Sequence, residues 1–144
     1  MFFSLFLSKN QKLVKNWKKE HQQIVKLATK VIEAYSNNKI TTAKKELKTL
    51  RLVALNHLMT EDIEFRRLLE NKSTLETETK AFIDEFKNSF YDTKAVLIRF
   101  LKDYSREDAV LDDKFFETFK GLVAVLAKRI AFEEENLYSK LDNN

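Results

Sequence analysis

His21 and His57 are the two histidines of this 144-residue chain, and each interrupts an otherwise apolar stripe. His21 lies in the series Trp17, His21, Ile24, Ala28, Val31, Tyr35, whose steps of 4, 3, 4, 3, 4 trace one face of a helix. His57 follows Leu47, Leu50 and Ala54, with Glu61 one turn on and Leu68 beyond it. A third stripe of Phe119, Leu122, Leu126 and Leu137 carries Arg129 and, one turn on, Glu133. Spacing i, i+4 puts each pair on the same helix face. An ionisable group on an inward face must find partners, because an unpaired buried charge is too costly to keep. Two chemistries meet that demand. His21 and His57, with Glu61 on the same face as His57, offer nitrogen and oxygen donors to a metal ion. The plainest outcome is a pair of hydrogen-bonded core histidines.

Other chemistry is poorly supplied. Without cysteine there are no disulfides, thiolate nucleophiles, zinc knuckles or iron–sulfur clusters. One glycine and no proline leave no phosphate-cradling loop and almost no tight-turn chemistry, which excludes sandwiches and barrels. No nucleophile–base pair and no paired catalytic carboxylates stand outside the Glu61/Glu133 group, so the chain reads as a non-enzyme.

Four long periodic segments must position these residues. The first runs from about 9 to 37, opened by a Ser8/Gln11 capping box and closed by Asn37-Asn38. The second runs from about 41 to 71. The third, from about 74 to 104, starts at a Ser73/Glu76 capping box and carries Phe82, Phe86, Phe90, Leu97, Phe100 and Tyr104 as core. The fourth runs from about 113 to 141 after Asp112-Asp113. The link 105–112 is the longest and has room for one helical turn. Short links make antiparallel neighbours, so the expectation is an all-α, antiparallel up-down-up-down four-helix bundle over residues 9–144. Residues 1–8 read as an apolar tail, Met1-Phe2-Phe3-Ser4-Leu5-Phe6-Leu7 followed by Ser8. It is far shorter than the ~20 residues of a membrane span and has no signal-peptide pattern. The expectations are a cytoplasmic chain with no membrane span, and a homodimer or protein partner held through the tail.

Charge divides unevenly, +8 over residues 1–72 and −4 over 73–144. Lys12, Lys19, Lys26 and Lys30 of the first segment form a solvent stripe opposite its apolar one. No aromatic or arginine cluster interleaves with them as base stacking requires, so nucleic acid is not the expected partner.

The second and fourth segments share a frame. His57-Leu-Met-Thr-Glu61-Asp62 and Arg129-Ile-Ala-Phe-Glu133-Glu134 correspond, with aromatic Phe65 and Tyr138 after them, as two halves of an approximate repeat. At these residues the chain resembles the hemerythrin-like (HHE cation-binding) domains. Trp17-Lys-Lys-Glu20-His21-Gln-Gln-Ile24 is similar to their first-helix E-H-x-x-I. His57-Leu58-Met-Thr-Glu61-Asp62-Ile-Glu-Phe65-Arg-Arg-Leu68-Leu69 is similar to their H-L-x-x-E-D-x-x-x-Y-P-x-L. Arg129-Ile130-Ala-Phe-Glu133-Glu134-Glu135-Asn136-Leu137-Tyr138 is similar to their fourth-helix H/R-I-x-x-E-x-x-x-L-Y.

The resemblance implies a bundle holding a non-haem di-iron centre, with histidines from all four helices, in proteins that bind oxygen, sense oxygen or iron, or store metal. It carries over His21, His57, Glu61 and Glu133 as ligand positions. The third segment departs from the pattern, offering Phe86, Ser89, Phe90 and Tyr91 where a histidine is expected, and Arg129 stands at a fourth-helix ligand position. So few donors lead to an expectation of an incomplete site: one iron or zinc ion at most, or none, with an Arg129-centred network in its place, in a sensing, regulatory or storage role. A second, shorter resemblance, carried by Arg129-x-x-x-Glu133-Glu134 and Trp17, is to helical anti-sigma regulators. It implies a metal-free interaction module.

Overall fold

A computed structural model of the chain describes residues 8–70 and 76–142. All of its regular structure is helical: α1 Lys9–Ser36, α2 Ile40–Glu70, α3 Thr77–Tyr104, α4 Asp113–Phe132, a π-helical turn Glu133–Leu137 and α5 Tyr138–Asp142. Residues 1–7 of the apolar tail and Ser73 lie outside the described residues.

Local chemistry sets the helix ends. Ser8 accepts from the Gln11 amide and Gln11 returns a bond to the Ser8 amide, satisfying two donors that a helix start leaves orphaned. α1 stops where Asn38 turns to φ 59°, a left-handed conformation that asparagine tolerates. Asp112 caps α4 by accepting from the Phe115 amide at 2.9 Å. Two expectations are corrected. α3 begins at Thr77, with Glu76 as its N-cap making no side-chain bond, rather than at 74 with Glu76 inside the helix. The link 105–112 forms a turn, with Ala109 N–H on the Arg106 carbonyl, and no helix of its own.

Side-chain pairings give the direction of each neighbour, since one residue number rises as the other falls. Trp17 meets Phe65 while His21 meets His57; Asp62 meets Lys94 while Arg51 meets Ser105. Phe86 meets Phe132 while Phe100 meets Phe115; His21 meets Glu134 while Tyr35 meets Asp113.

Two apolar clusters fill the interior. The larger takes Ile24 to Ala34 of α1, Ala43 to Leu58 of α2, Phe90 to Leu101 of α3, and Phe115 and Phe119. The smaller gathers Val14, Trp17, Phe65, Leu68, Ile83, Phe86, Leu137, Tyr138 and Leu141. Each fully buried large side chain contributes about 1.5–3 kcal/mol. His21, His57, Glu61 and Glu133 fall in the layer between the clusters, a polar belt closed above and below by hydrocarbon. No described helix is long and apolar enough to cross a membrane.

Candidate metal centre

α1 contributes His21, α2 contributes His57 and Glu61, and the π turn contributes Glu133. Donor atoms of these four side chains all lie within 4.8 Å of one another, and none of the four residues is more than 4% exposed. The sequence-predicted residues are thus brought together. His21 Nε2 is 3.1 Å from His57 Nε2, His57 Nε2 is 3.2 Å from Glu61 Oε2, and His21 Nε2 is 3.8 Å from Glu133 Oε1.

The outer ring nitrogens are also occupied. His21 Nδ1 lies 3.0 Å from Glu134 Oε2, and His57 Nδ1 lies 2.5 Å from Glu20 Oε1. A carboxylate only accepts, so each Nδ1 carries a hydrogen and donates it. This fixes the tautomer and leaves each Nε2 lone pair directed at the centre. Carboxylate-held imidazole is the arrangement that orients histidine toward a metal. Glu20 and Glu134 are partly exposed, reaching from the belt to the surface.

Electrostatics follow from burial. Burial pulls His57 down, but the Glu61 and Glu20 carboxylates outweigh it and raise its pKa. His21 is lowered, mainly by burial and also by the neighbouring His57. Without an ion, His57 therefore holds the proton that lies between the rings. Glu133 is raised well above the ordinary carboxylate value by burial and then by the like charge of Glu61. Its Oε2 is buried without a hydrogen-bond partner among the described residues.

Arg129 departs from the network expected of it. Its guanidinium lies over the Phe86 and Phe90 rings, 3.2 and 4.1 Å from their centroids. It donates to the Phe86 carbonyl at 3.2 Å and, at 3.5 Å, to the Ser89 hydroxyl. Among the described residues no ion pair joins it to Glu61 or Glu133. Burial among the aromatics lowers its pKa to about 10 against the pull of those carboxylates, leaving it cationic at neutral pH. Arg129 lines a cavity of about 20 Å³ with His21, His57 and Glu133, room for one water-sized species.

The fourth helix departs from the continuous helix expected over 113–141. The Tyr138 amide donates to the Glu133 carbonyl five residues back, so one extra residue is accommodated between them. Wound as a regular α-helix, the same five-residue interval would turn Tyr138 away by about 100°. With the π turn, Glu133, Leu137 and Tyr138 are all buried, and the Tyr138 hydroxyl comes 3.3 Å from His21 Nε2 and 3.4 Å from Glu61 Oε2.

The hemerythrin HHE cation-binding domain model matches residues 12–141. The chain belongs to that family. Curated proteins and solved structures give no match. Within the hemerythrin frame, α3 places Phe90 on the cavity wall and Phe86 against Arg129, and its described residues offer no imidazole. The donors at hand could hold a metal ion: two imidazole nitrogens and two carboxylates, of which Glu133 keeps one oxygen unpartnered among the described residues.

The residues that sequence reasoning missed as site members are Glu20, Glu134 and Tyr138. Each had a signal. Glu20 and Glu134 stand inside the quoted motifs, beside His21 and Glu133, and the Glu133–Tyr138 interval of five departs from the Glu61–Phe65 interval of four.

Proposed function

We propose that the chain binds one first-row transition-metal ion, iron or zinc, through His21 Nε2, His57 Nε2, Glu61 and Glu133, and that occupancy of this site serves as a signal. The observation that carries the reading is the 3.1 Å approach of two Nε2 atoms whose Nδ1 atoms are each held by a carboxylate. Two lone pairs facing at that distance repel unless a cation lies between them. Donors 2.0–2.1 Å from a shared ion stand about 3.0 Å apart at right angles and about 3.4 Å apart in a tetrahedron. The edges of 3.1 and 3.2 Å fall in that range.

Once bound, such an ion would supply Lewis acidity and, if iron, one-electron redox capacity. The protein side chains hold its ligands in one tautomer and exclude bulk water with the two apolar clusters. A sensing role suits this arrangement better than storage, because one ion per 17.0-kDa chain stores little metal. The ligands also join α1, α2 and the π turn, so occupancy stabilises the bundle. An ion at one hundred times its Kd adds about 2.7 kcal/mol by mass action. We read the chain as non-enzymatic: the space beside Arg129, about 20 Å³, has room for one water-sized species.

Trp17, the sole tryptophan, reports on binding, its ring 6.5 Å from His57. Titrating chelator-treated protein with iron(II) or zinc is expected to change Trp17 emission, saturating at one equivalent, and to raise the melting temperature. Emission and melting that ignore both ions contradict the proposal.

A second reading, docking of a protein partner, draws on Leu52, Met59 and Ile63. These are 70%, 63% and 60% exposed on one outer face of α2. Loss of a co-purifying partner on Met59→Glu would support it.

A further inference from the structure

We infer that Tyr138 is an additional ligand to the ion, through its phenolate oxygen, and that it makes the site selective for a trivalent, oxygen-seeking ion such as iron(III). The inference rests on the single-ion reading above and extends it.

Four atoms close a ring: His21 Nε2 to His57 Nε2, 3.1 Å; His57 Nε2 to Glu61 Oε2, 3.2 Å; Glu61 Oε2 to Tyr138 Oη, 3.4 Å; and Tyr138 Oη back to His21 Nε2, 3.3 Å. All four edges match the separation of donors bound to a shared ion, between about 3.0 and 3.4 Å. Tyr138 Oη sits in that ring on the same footing as Glu61. Glu133 Oε1 approaches His21 Nε2 from outside it, at 3.8 Å.

The backbone is shaped for this placement. The π turn aligns Tyr138 with Glu133, and such turns recur where a side chain must be aimed at a functional site. The phenol ring is fixed by stacking on His21, with centroids 5.6 Å apart and planes at 14°, and by Trp17, 5.4 Å away. Its neighbours therefore leave the hydroxyl one direction, toward the centre.

A phenol buried among carboxylates keeps its proton, and a bound cation reverses that preference. On binding, the O–H bond of Tyr138 breaks, an oxygen–metal bond forms, and the proton leaves to solvent. No electron is transferred, so iron can be supplied already as iron(III). Anionic phenolate and carboxylate oxygens are hard donors, which favours iron(III) over zinc at this position.

The test uses the full chain and iron(III) delivered as its nitrilotriacetate chelate. The expected result is one bound iron per chain with a visible phenolate-to-iron charge-transfer band. Tyr138→Phe should still bind one iron, about tenfold more weakly, with the band gone. Resonance Raman on wild-type protein carrying ring-deuterated tyrosine gives an independent readout: the enhanced bands should shift. Tyr138 is the sole tyrosine placed to produce them, since Tyr35 donates to Asp113, Tyr104 packs on Phe100 and Phe115, and Tyr91 is 68% exposed. One iron bound without the band, or a band that survives Tyr138→Phe, overturns the inference while the single-ion reading stands. Failure of wild-type protein to bind iron(III) overturns the inference, and failure to bind iron(II) and zinc as well overturns the single-ion reading.

Discussion

His21 Nε2 and His57 Nε2 face each other across 3.1 Å, each backed by a carboxylate on the far side of its ring. Such a pair is stable with one positive charge between the rings and unfavourable with none. On the single-ion reading proposed above, proton and metal ion compete for the same position, and the consequences follow from that competition.

The pH dependence of stability should reverse sign on metal loading. In the metal-free protein His57 has a raised pKa, so its contribution is complete below 6.5 and fades as pH rises through the folded value. Glu133, neutral when buried, acts in the same direction: stability falls as pH climbs from 4.5 toward its raised value. His21, lowered, opposes them only below 6.5. The metal-free melting temperature should thus fall as pH rises above 6.5, while metal-saturated protein gains stability in the same direction as its ligands shed protons. Parallel thermal melts with and without metal would check the two slopes.

Glu20 and Glu134 act on the ion through the imidazoles they hold. Glu20→Ala and Glu134→Ala should each weaken metal binding by about 10–100-fold while the helical content stays unchanged. Both carboxylates reach the surface, so folding tolerates the loss. Competition with a chelator of known affinity measures the change.

Arg129 places a cation beside the site without bonding to its carboxylates. Arg129→His removes that repulsion and puts a further imidazole on the cavity wall. Affinity for zinc should rise by about tenfold or more. Unchanged affinity in the same chelator competition would place position 129 beyond the reach of the ion.

Inserting an alanine after Asn136 makes the Glu133–Tyr138 interval one residue longer than the π turn absorbs. The helix then carries Tyr138 and Leu141 about 100° out of the smaller cluster. The variant should stay helical by circular dichroism, lose about 2–5 kcal/mol of stability, and lose the metal site. Chemical denaturation reads the first loss and metal titration the second.

The stripes through Trp17, Leu47, Phe86 and Phe119 made the four-helix architecture legible, because burial repeats with the helical period. The ionisable residues on those stripes marked the belt for the same reason. What stayed hidden depends on register and on backbone geometry. The apposition of His21 and His57 requires knowing how far α1 slides along α2. The role of Arg129 was misjudged because a guanidinium can satisfy its donors on a carbonyl and aromatic faces as well as on carboxylates. Tyr138 entered the site through one extra residue in a helical turn, which a 3.6-residue period reads as a step off the buried face.

The most direct test is the number of ions held by purified protein, measured by equilibrium dialysis against iron(II) under anaerobic conditions with elemental analysis of the dialysed chain. One ion per wild-type chain and none per His57→Ala chain is the predicted result. Two ions per chain, or equal metal content in wild type and variant, contradicts a single ion seated between the imidazoles.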